Sequence, residues 1–377
     1  MIYLDNAATS SPKPQCVIDA VMHAMTQANA NPGRAGHALS LEAGRTVLEC
    51  RENIAKLINA DDPFSISFQF NCTDALNLAI KGCLKKGDHV ISTLLEHNSV
   101  LRVLMELERR GEISVTLLRP DNDGMIDPET VRRRIRPDTA LIICTHASNV
   151  TGAIQPVAAV GSIAAEYGIK YLIDGAQALG TMPVDVKKLG CDMYAFPGHK
   201  GLLGPQGTGG LYVRQGLSLR TIREGGTGSS SESMLQPREL PERYESGTLN
   251  SHGIAGLNAG TVYISEHLQD IFMRERELTT ALYEELSAID GIEIYSPAQE
   301  SARAGIVSFN AGDLSSSQAA DMLDAKGFAV RGGLHCAPGA HAYLGTLRRG
   351  AIRASVGHAT TFDEIEQFVA YVRQISI

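Results

Sequence analysis

Lys200 is the first candidate for a chemical role, because it lies in a glycine-rich stretch. Residues 196–209 contain five glycines and two prolines, between apolar runs that are typical of strands. Glycine lets a backbone approach a ligand closely. A lysine held there, away from bulk water, can lose its proton and act as a nucleophile or form a Schiff base. The alternative is a surface turn that happens to contain a lysine, because glycine-rich loops are common turns.

Asp174 is the second candidate for chemistry, since it ends the short apolar run 170–174. In an open α/β sheet, ligands bind outside the carboxyl ends of the strands. An aspartate at such an end, followed along the chain by a lysine between glycines, is the pair that pyridoxal phosphate needs. The aspartate keeps the pyridine nitrogen protonated, and the lysine forms the Schiff base. The alternative is an unpaired aspartate that caps a turn.

Other polar residues also follow predicted strands. Thr73 and Asp74 open a helix after the strand 64–70, and the start of a helix suits a phosphate; we expect the Asp74 carboxylate to turn away and cap its own helix. His97 follows the strand 89–95 and could stack on an aromatic cofactor or carry protons. Asn149 follows the strand 139–145 and could hydrogen-bond a ring oxygen or a carboxylate. A structural histidine and an Asx turn are the alternatives for these last two residues.

Two further candidates lie near the C-terminus. Arg353 interrupts an apolar strand predicted over 351–357, so its charge needs a partner, and a carboxylate held by two parallel hydrogen bonds is the natural one. A charge on a solvated strand face is the alternative. Cys336 lies in the segment 331–338, which ends in Ala-Pro. Taken alone, Cys336 is better explained as a small packing residue.

The elements that must position these residues alternate between strand and helix from about 64 to 214. This alternation predicts a mostly parallel sheet with helices on both faces. Helices are also predicted over 15–29 and 39–59, with Arg34 and His37 in the loop between them. The Gly, Ser and Pro-rich segment 224–250 either covers a site or reaches a neighbouring subunit. A long helix over about 254–289 then leads into a C-terminal domain.

Composition narrows the function classes. The chain has 377 residues, 44% hydrophobic and 20% charged, which is enough for a sizeable core and two domains. The net charge of −8 without a basic tract argues against a nucleic-acid partner, and no run reaches the length of a membrane span. The seven cysteines include no Cys-x-x-Cys pair, so we expect reduced thiols, no metal site and a cytoplasmic location.

With these residues in view, the chain resembles the group II cysteine desulfurases, the branch of the class V aminotransferases that includes selenocysteine lyases. The most specific motifs are residues 174–177, 198–200 and 331–336. The resemblance implies the α/β fold of the fold-type-I pyridoxal-phosphate transferases. It implies a large cofactor-binding domain over 15–255 with a mostly parallel seven-stranded sheet. It also implies a smaller α+β domain built from 1–14 and 256–377.

The resemblance also implies residue roles. Lys200 would be the Schiff-base lysine and proton carrier, with Asp174 at the pyridine nitrogen, Gln177 at the ring hydroxyl and His97 stacked on the ring. Thr73, His199 and the Asp74 backbone would bind the cofactor phosphate. Gly247 and Thr248 of the second subunit of a homodimer would bind the same phosphate. Arg353 would bind the substrate carboxylate, together with Asn149 and Arg331. Cys336 would be the thiolate that accepts sulfur from L-cysteine, leaving L-alanine. Arg331 and His335 are cationic neighbours that would favour the thiolate, and a separate protein would take the sulfur onward.

Two departures from the family pattern and several alternatives stay open. Pro197 stands where the family usually has a serine or threonine, which removes one expected phosphate contact, and Cys72 stands where a second threonine is common. The same scaffold could act on L-selenocysteine, with Cys336 mattering less. Transamination or β-elimination on another amino acid does not explain Cys336. A non-catalytic scaffold does not explain Lys200, Asp174 and Arg353 together.

Overall fold

The computed structural model describes residues 1–33 and 36–376. The strands are β1 (Ile2–Tyr3), β2 (Ile66–Gln69), β3 (His89–Thr93), β4 (Ser114–Leu118), β5 (Thr139–Thr145), β6 (Lys170–Asp174), β7 (Met193–Pro197), β8 (Gly209–Val213), β9 (Ile292–Ile294), β10 (Ile306–Ala311), β11 (Phe328–Ala329), β12 (Arg331–Gly333) and β13 (Ala351–Ser355). The helices are α1 (Gln15–Thr26), α2 (Ala38–Leu57), α3 (Cys72–Cys83), α4 (Asn98–Arg109), α5 (Pro128–Arg134), α6 (Val157–Glu166), α7 (Val186–Leu189), α8 (Ser251–Ser287), α9 (Ser316–Asp324), α10 (Pro338–Leu344) and α11 (Phe362–Ile375).

The central sheet has seven strands in the order β2-β8-β7-β6-β5-β3-β4. Strands β4, β3, β5, β6 and β7 pair in parallel, and only β8 runs antiparallel to its neighbours. Successive residues of a strand point to opposite faces. Leu141 and Ile143 of β5 accordingly join one apolar core, and Ile142 and Cys144 join another. Apolar cores on both faces explain why these strands are almost continuously apolar. The predicted α/β fold with a mostly parallel seven-stranded sheet is confirmed.

A second sheet, with the order β12-β13-β10-β9, is antiparallel throughout, and β1 pairs in parallel with β11. A third core forms under this sheet, around Phe309 and Phe368. Helix α8 contributes Leu257 to the core that contains Ile142 and Cys144, and Leu282 to the core around Phe309, so the single long helix spans from one core to the other. The helix predicted over about 254–289 therefore runs over 251–287. The domain boundaries at 14/15 and 255/256 stay predictions.

Several short elements differ from the sequence-based expectation. Strand β12 lies in the segment 331–338, where no strand was predicted, because two of its three residues are glycines and carry no strand signal. The strand expected from residue 64 begins at Ile66, after a 3-10 turn that Asp62 caps through a hydrogen bond from Phe64 N at 2.8 Å. Pro156 is the N-cap of α6, which begins at Val157. None of the helices in 1–33 and 36–376 is both long and apolar enough to cross a membrane.

Candidate active site

The carboxyl ends of β3, β5, β6 and β7 open into one cavity. Including space open to solvent, the cavity encloses about 800 Å³. Parallel strands end at the same edge of a sheet, which brings residues distant in sequence together. The predicted site residues that line the cavity are Thr73, His97, Asn149, Asp174, Gln177, His199, Lys200, Arg331 and Arg353. The structure therefore assembles most of the predicted site in one place.

Lys200 and Asp174 face this cavity from neighbouring strands. Asp174 is the last residue of β6, and Lys200 follows β7 by three residues. Burial lowers the pKa of Lys200 and the Arg353 cation lowers it further, whereas Asp174 opposes the shift. Burial raises the pKa of Asp174, against the hydrogen bond from Ala176 N at 3.0 Å and the charge of Lys200. A buried lysine with a lowered pKa is predisposed to react as the free amine.

Two glycines allow the polypeptide to reach this arrangement. A Cβ on Gly175, directly after Asp174, would lie 2.0 Å from Cε1 of Tyr194. A Cβ on Gly198 would lie 2.1 Å from Oγ1 of Thr208. Real side-chain atoms do not approach so closely, so only glycine lets both segments pack beside the site.

Two of the three cavity histidines, His97 and His199, have pKa values that keep them neutral at physiological pH. His97 caps α4, and its Nδ1 accepts a hydrogen bond from Ser99 N at 3.1 Å. Burial, followed by the charges of Lys200 and Arg331, lowers the pKa of His97 to about 4. Burial and Lys200 also lower the pKa of His199 to about 4. Within the described chain, the buried Nδ1 atom of His199 has no hydrogen-bond partner.

Two arginines form another part of the cavity wall. In the antiparallel pair of β12 and β13, Arg331 lies directly across from Arg353. Arg353 is 1% exposed, which rules out a solvated strand face, and its Nη2 donates to Asp5 Oδ1 at 2.8 Å. Its Nη1 donates to the carbonyl of Asn149 at 2.9 Å, and no partner among the described residues reaches its Nε. Like charges across a strand pair are unfavourable, so this wall is suited to an anion such as a substrate carboxylate.

Asp5, the partner of Arg353, was not predicted from the sequence. The signal was present, since Asp5 is a charged residue one position after the apolar Leu4 at the end of a short strand. Its partner is 348 residues away along the chain, however. No local pattern identifies a contact over that separation.

Cys336 lies at the rim and does not line the cavity. His335 and Cys336 both adopt left-handed backbone conformations, with φ of 48° and 57°, which non-glycine residues rarely do. Two hydrogen bonds hold the turn: Asn149 Nδ2 donates to the His335 carbonyl at 2.6 Å, and Asn98 N donates to the Cys336 carbonyl at 2.7 Å. Cys336 is exposed, and its sulfur is 3.8 Å from Nη2 of Arg331. Backbone strain of this kind clusters at functional sites.

The expected role of His335 as a cationic neighbour of Cys336 is wrong. Burial, followed by the charge of Arg353, lowers the pKa of His335 to about 2. Its Nε2 lies 3.0 Å from the carbonyl of Ala351, so the ring is a neutral, buried donor. Of Arg331 and His335, only Arg331 is a cation beside the Cys336 sulfur.

Three predicted cofactor contacts lie outside this cavity. The backbone N–H of Asp74 donates to Asn71 Oδ1 at 2.9 Å. Asn71, and not Asp74, therefore caps α3, which corrects our expectation. Gly247 and Thr248 are exposed residues away from the cavity. The proposed phosphate contacts of Asp74, Gly247 and Thr248 stay predictions.

None of the described residues in the loop before α2 lines this cavity. His37 caps α2, where its Nδ1 accepts a hydrogen bond from Ser40 N at 3.3 Å. Arg34 lies outside the described residues.

Two residues beside Asp174 had no assigned role in the sequence analysis. Cys72 lines the cavity with its sulfur 3.6 Å from Asp174 Oδ1, and burial raises its pKa well above the usual range, so it is a thiol donor. Glu96 is fully buried, and burial followed by the charge of Asp174 raises its pKa to about 8. Its Oε1 accepts from Thr145 N at 2.9 Å, which ties the end of β3 to the end of β5. Its only sequence signal was its position directly before His97.

Comparison with known proteins identifies the family. The model of the aminotransferase class-V family matches residues 2–368. The chain belongs to this family. The class V aminotransferases are pyridoxal-phosphate-dependent enzymes, as the sequence predicted.

Similar proteins carry a more specific name. A probable cysteine desulfurase of Methanothermobacter thermautotrophicus is 37% identical over 97% of this chain and 92% of that protein. A cysteine desulfurase of Serratia proteamaculans is 35% identical over 100% of this chain and 93% of its own length. The apo structure of a cysteine desulfurase from Thermococcus onnurineus superposes with a TM-score of 0.93 at 33% identity, over 100% of this chain and 94% of that one.

The residues present fit pyridoxal phosphate. The cavity holds a buried lysine with a lowered pKa, a buried aspartate on the adjacent strand, and an unpartnered ring nitrogen on His199. These three groups match the Schiff-base amine, the partner of the ring nitrogen and a phosphate ligand, respectively. When bound, the cofactor supplies an electron sink for negative charge at the substrate α-carbon.

Proposed function

We propose that this protein is a cysteine desulfurase, which converts L-cysteine to L-alanine and places the sulfur on Cys336 as a persulfide. The observation that carries the proposal is the strained turn that holds Cys336 beside Arg331. Arg331 lies on β12 and pairs with Arg353 on β13. An aminotransferase needs the lysine, the aspartate and the carboxylate-binding arginine. It does not need a thiol fixed at the rim. The names of the similar proteins agree with this activity.

In this proposal the cofactor residues keep the roles that the family resemblance implies. Lys200 Nζ removes the proton from the substrate α-carbon and later returns a proton to carbon, which its lowered pKa favours. Asp174 pairs with the ring nitrogen, Gln177 with the ring hydroxyl, and neutral His97 stacks on the ring. Thr73 and His199 bind the phosphate.

The remaining residues handle the substrate. Arg353 binds its carboxylate, aided by Asn149 and Arg331. The Cys336 thiolate attacks the substrate sulfur, so that an S–S bond forms while the bond between that sulfur and the β-carbon breaks. The electron pair of the broken bond stays with the carbon fragment, which takes up protons and leaves as alanine. Overall, one thiol and one cysteine become one persulfide and one alanine. The nearby Arg331 cation stabilises negative charge on the attacking sulfur.

We propose further that two copies form a homodimer in which Gly247 and Thr248 of one subunit complete the phosphate site of the other. The exposure of both residues supports this arrangement. So do exposed apolar side chains on α1 and α2, such as Met22 and Leu41, which are 55% and 49% exposed. All seven cysteines are free thiols within the described residues, which agrees with a reducing cytoplasm. We propose that a separate acceptor protein takes the sulfur onward.

Alanine release is the direct test of the proposed reaction. It would be measured from L-cysteine and from L-selenocysteine, with the parent chain, Cys336→Ala and Cys16→Ala. Cys16 is the matched control because it is also an exposed thiol, on α1. We expect Cys336→Ala to lose cysteine turnover and Cys16→Ala to keep it. Unchanged cysteine turnover in Cys336→Ala would rule out the persulfide step.

Two further results decide between the alternatives. Turnover of selenocysteine but not of cysteine by the parent chain would identify a selenocysteine lyase. Reconstituted protein should also show a visible absorbance band that borohydride removes and that Lys200→Ala lacks. Saturation with cofactor without that band would favour a non-catalytic scaffold.

A further inference from the structure

The segment from Thr9 to Lys13 wraps the backbone that carries His199 and Lys200. The carbonyl oxygen of His199 accepts hydrogen bonds from Ser10 N at 3.1 Å, from Thr9 Oγ1 at 3.1 Å and from Lys13 Nζ at 3.0 Å. Three donors from one short segment thus converge on one carbonyl of the catalytic loop. These donors come from almost 190 residues earlier in the chain.

Lys13 also determines how Ser10 contacts the catalytic lysine. Lys13 Nζ donates to Ser10 Oγ at 2.7 Å, and an ammonium group can only donate. The single hydroxyl proton of Ser10 is therefore left for a carbonyl. The carbonyl of Lys200 at 2.9 Å is nearer to the hydroxyl than that of His199 at 3.2 Å. Lys13 consequently acts on two successive carbonyls, directly on His199 and through Ser10 on Lys200.

The charge of Lys13 lacks a paired anion. No carboxylate of the described chain lies within ion-pair distance of its ammonium group, and burial lowers its pKa to about 8. The same charge lowers the pKa of His199 and of His358. A partly buried cation without a counter-ion is unfavourable. An anion bound beside His199 would offset that cost.

We propose that Lys13 is a positioning residue for the cofactor site. It holds the two peptide groups that carry His199 and Lys200, and it adds positive charge beside the histidine that faces the cofactor phosphate. The proposal rests on the proposed function only in taking pyridoxal phosphate as the anionic ligand. Lys13 touches neither substrate nor reacting atoms in this account, so its effect passes through His199 and Lys200.

The test compares Lys13→Met, which removes the charge, with Lys13→Arg, which keeps it. Lys86→Met is the control, because Lys86 is an exposed lysine. The holoenzymes would be dialysed to follow loss of the visible cofactor band, and kcat and KM would be measured for L-cysteine. We expect Lys13→Met to release cofactor about tenfold faster, from loss of a charged hydrogen bond. We also expect a lower kcat at unchanged KM, partial rescue in Lys13→Arg, and parental behaviour in Lys86→Met.

A second readout does not depend on cofactor or activity. The titration of His199 would be followed by NMR in cofactor-free protein, with the signal assigned through His199→Gln. Removing a nearby cation raises a histidine pKa, so we expect the His199 pKa to rise in Lys13→Met but not in Lys13→Arg.

Each outcome bears on one of the two proposals. If Lys13→Met lowers the melting temperature but retains cofactor and kcat as the parent does, Lys13 only stabilises the fold and the inference is wrong. If the parent chain itself binds no pyridoxal phosphate, the proposed function fails instead. The His199 titration then decides the inference: an unchanged pKa in Lys13→Met overturns it, and a raised pKa supports it.

Discussion

The buried ion pair between Arg51 and Glu245 gives a stability prediction that also concerns the site. Arg51 in α2 donates to both carboxylate oxygens of Glu245, at 2.7 and 2.9 Å, and the two side chains are 3% and 5% exposed. Glu245 Oε1 also accepts from Phe68 N at 2.6 Å. Glu245 lies two residues before Gly247, so this pair anchors the segment that we propose reaches the second subunit.

Arg51→Met removes the cation and keeps much of the apolar stem. Breaking one side of a buried pair costs about 3–5 kcal/mol, because the other charge stays buried. That loss is a large part of the roughly 5–15 kcal/mol by which proteins are stable.

The loss should depend on pH with a definite sign. Burial raises the pKa of Glu245 in the folded protein, and the Arg51 charge opposes this shift. Loss of that charge in Arg51→Met therefore raises the Glu245 pKa further. The unfolded chain then binds fewer protons than the folded one above the ordinary glutamate pKa of about 4.3. The free energy of unfolding therefore falls as pH rises from there through the folded pKa. The variant should recover part of its stability near pH 5 compared with pH 8.

Urea unfolding at those two pH values and at fixed protein concentration measures the effect. The control is Arg109→Met, which removes an exposed pair with Glu106 on α4 and should produce no resolvable change. A loss in Arg51→Met no larger than in this control would refute the buried-pair argument. An equal loss at both pH values would refute the proton linkage. Cofactor retention by the variant would show whether the anchored segment matters to the site.

Two further predictions concern a buried carboxyl group on α8 and a glycine beside the cavity. The buried Glu275 has a pKa raised by burial to about 8, so the folded chain holds a proton that the unfolded chain loses above about pH 4.3, and the free energy of unfolding falls as pH rises. Glu275→Gln should remove this fall and be more stable than the parent near pH 8.5. A parallel pH dependence of the two chains would contradict the shifted pKa. Gly175→Ala would place a Cβ against the Tyr194 ring and should destabilise the protein by roughly 1–3 kcal/mol or more, with faster loss of cofactor because Asp174 is displaced; a stable variant that keeps its cofactor would show that the strand end can shift.

Much of the candidate site could be predicted because its residues follow local patterns. Lys200 and Asp174 each follow an apolar run of strand length, and the parallel alternation of strands and helices brings such strand ends to one edge. His97 and Asn149 were found by the same reasoning. Strand β12 was missed because glycines carry no strand preference. The neutral state of His335 was missed because burial, which lowers its pKa, cannot be read from a sequence.

The sequence by itself determined the fold class, the family and the lysine–aspartate pair, since periodicity, strand ends and motifs are local properties. Only the tertiary structure decided the partners of these residues. The contact of Arg353 with Asp5, the register of Arg331 against Arg353 and the hydrogen bond from Lys13 to the His199 carbonyl all join distant segments. Such contacts depend on how the N-terminal segment and the second sheet dock on the central one. Docking is set by packing over the whole chain, and no local pattern encodes it.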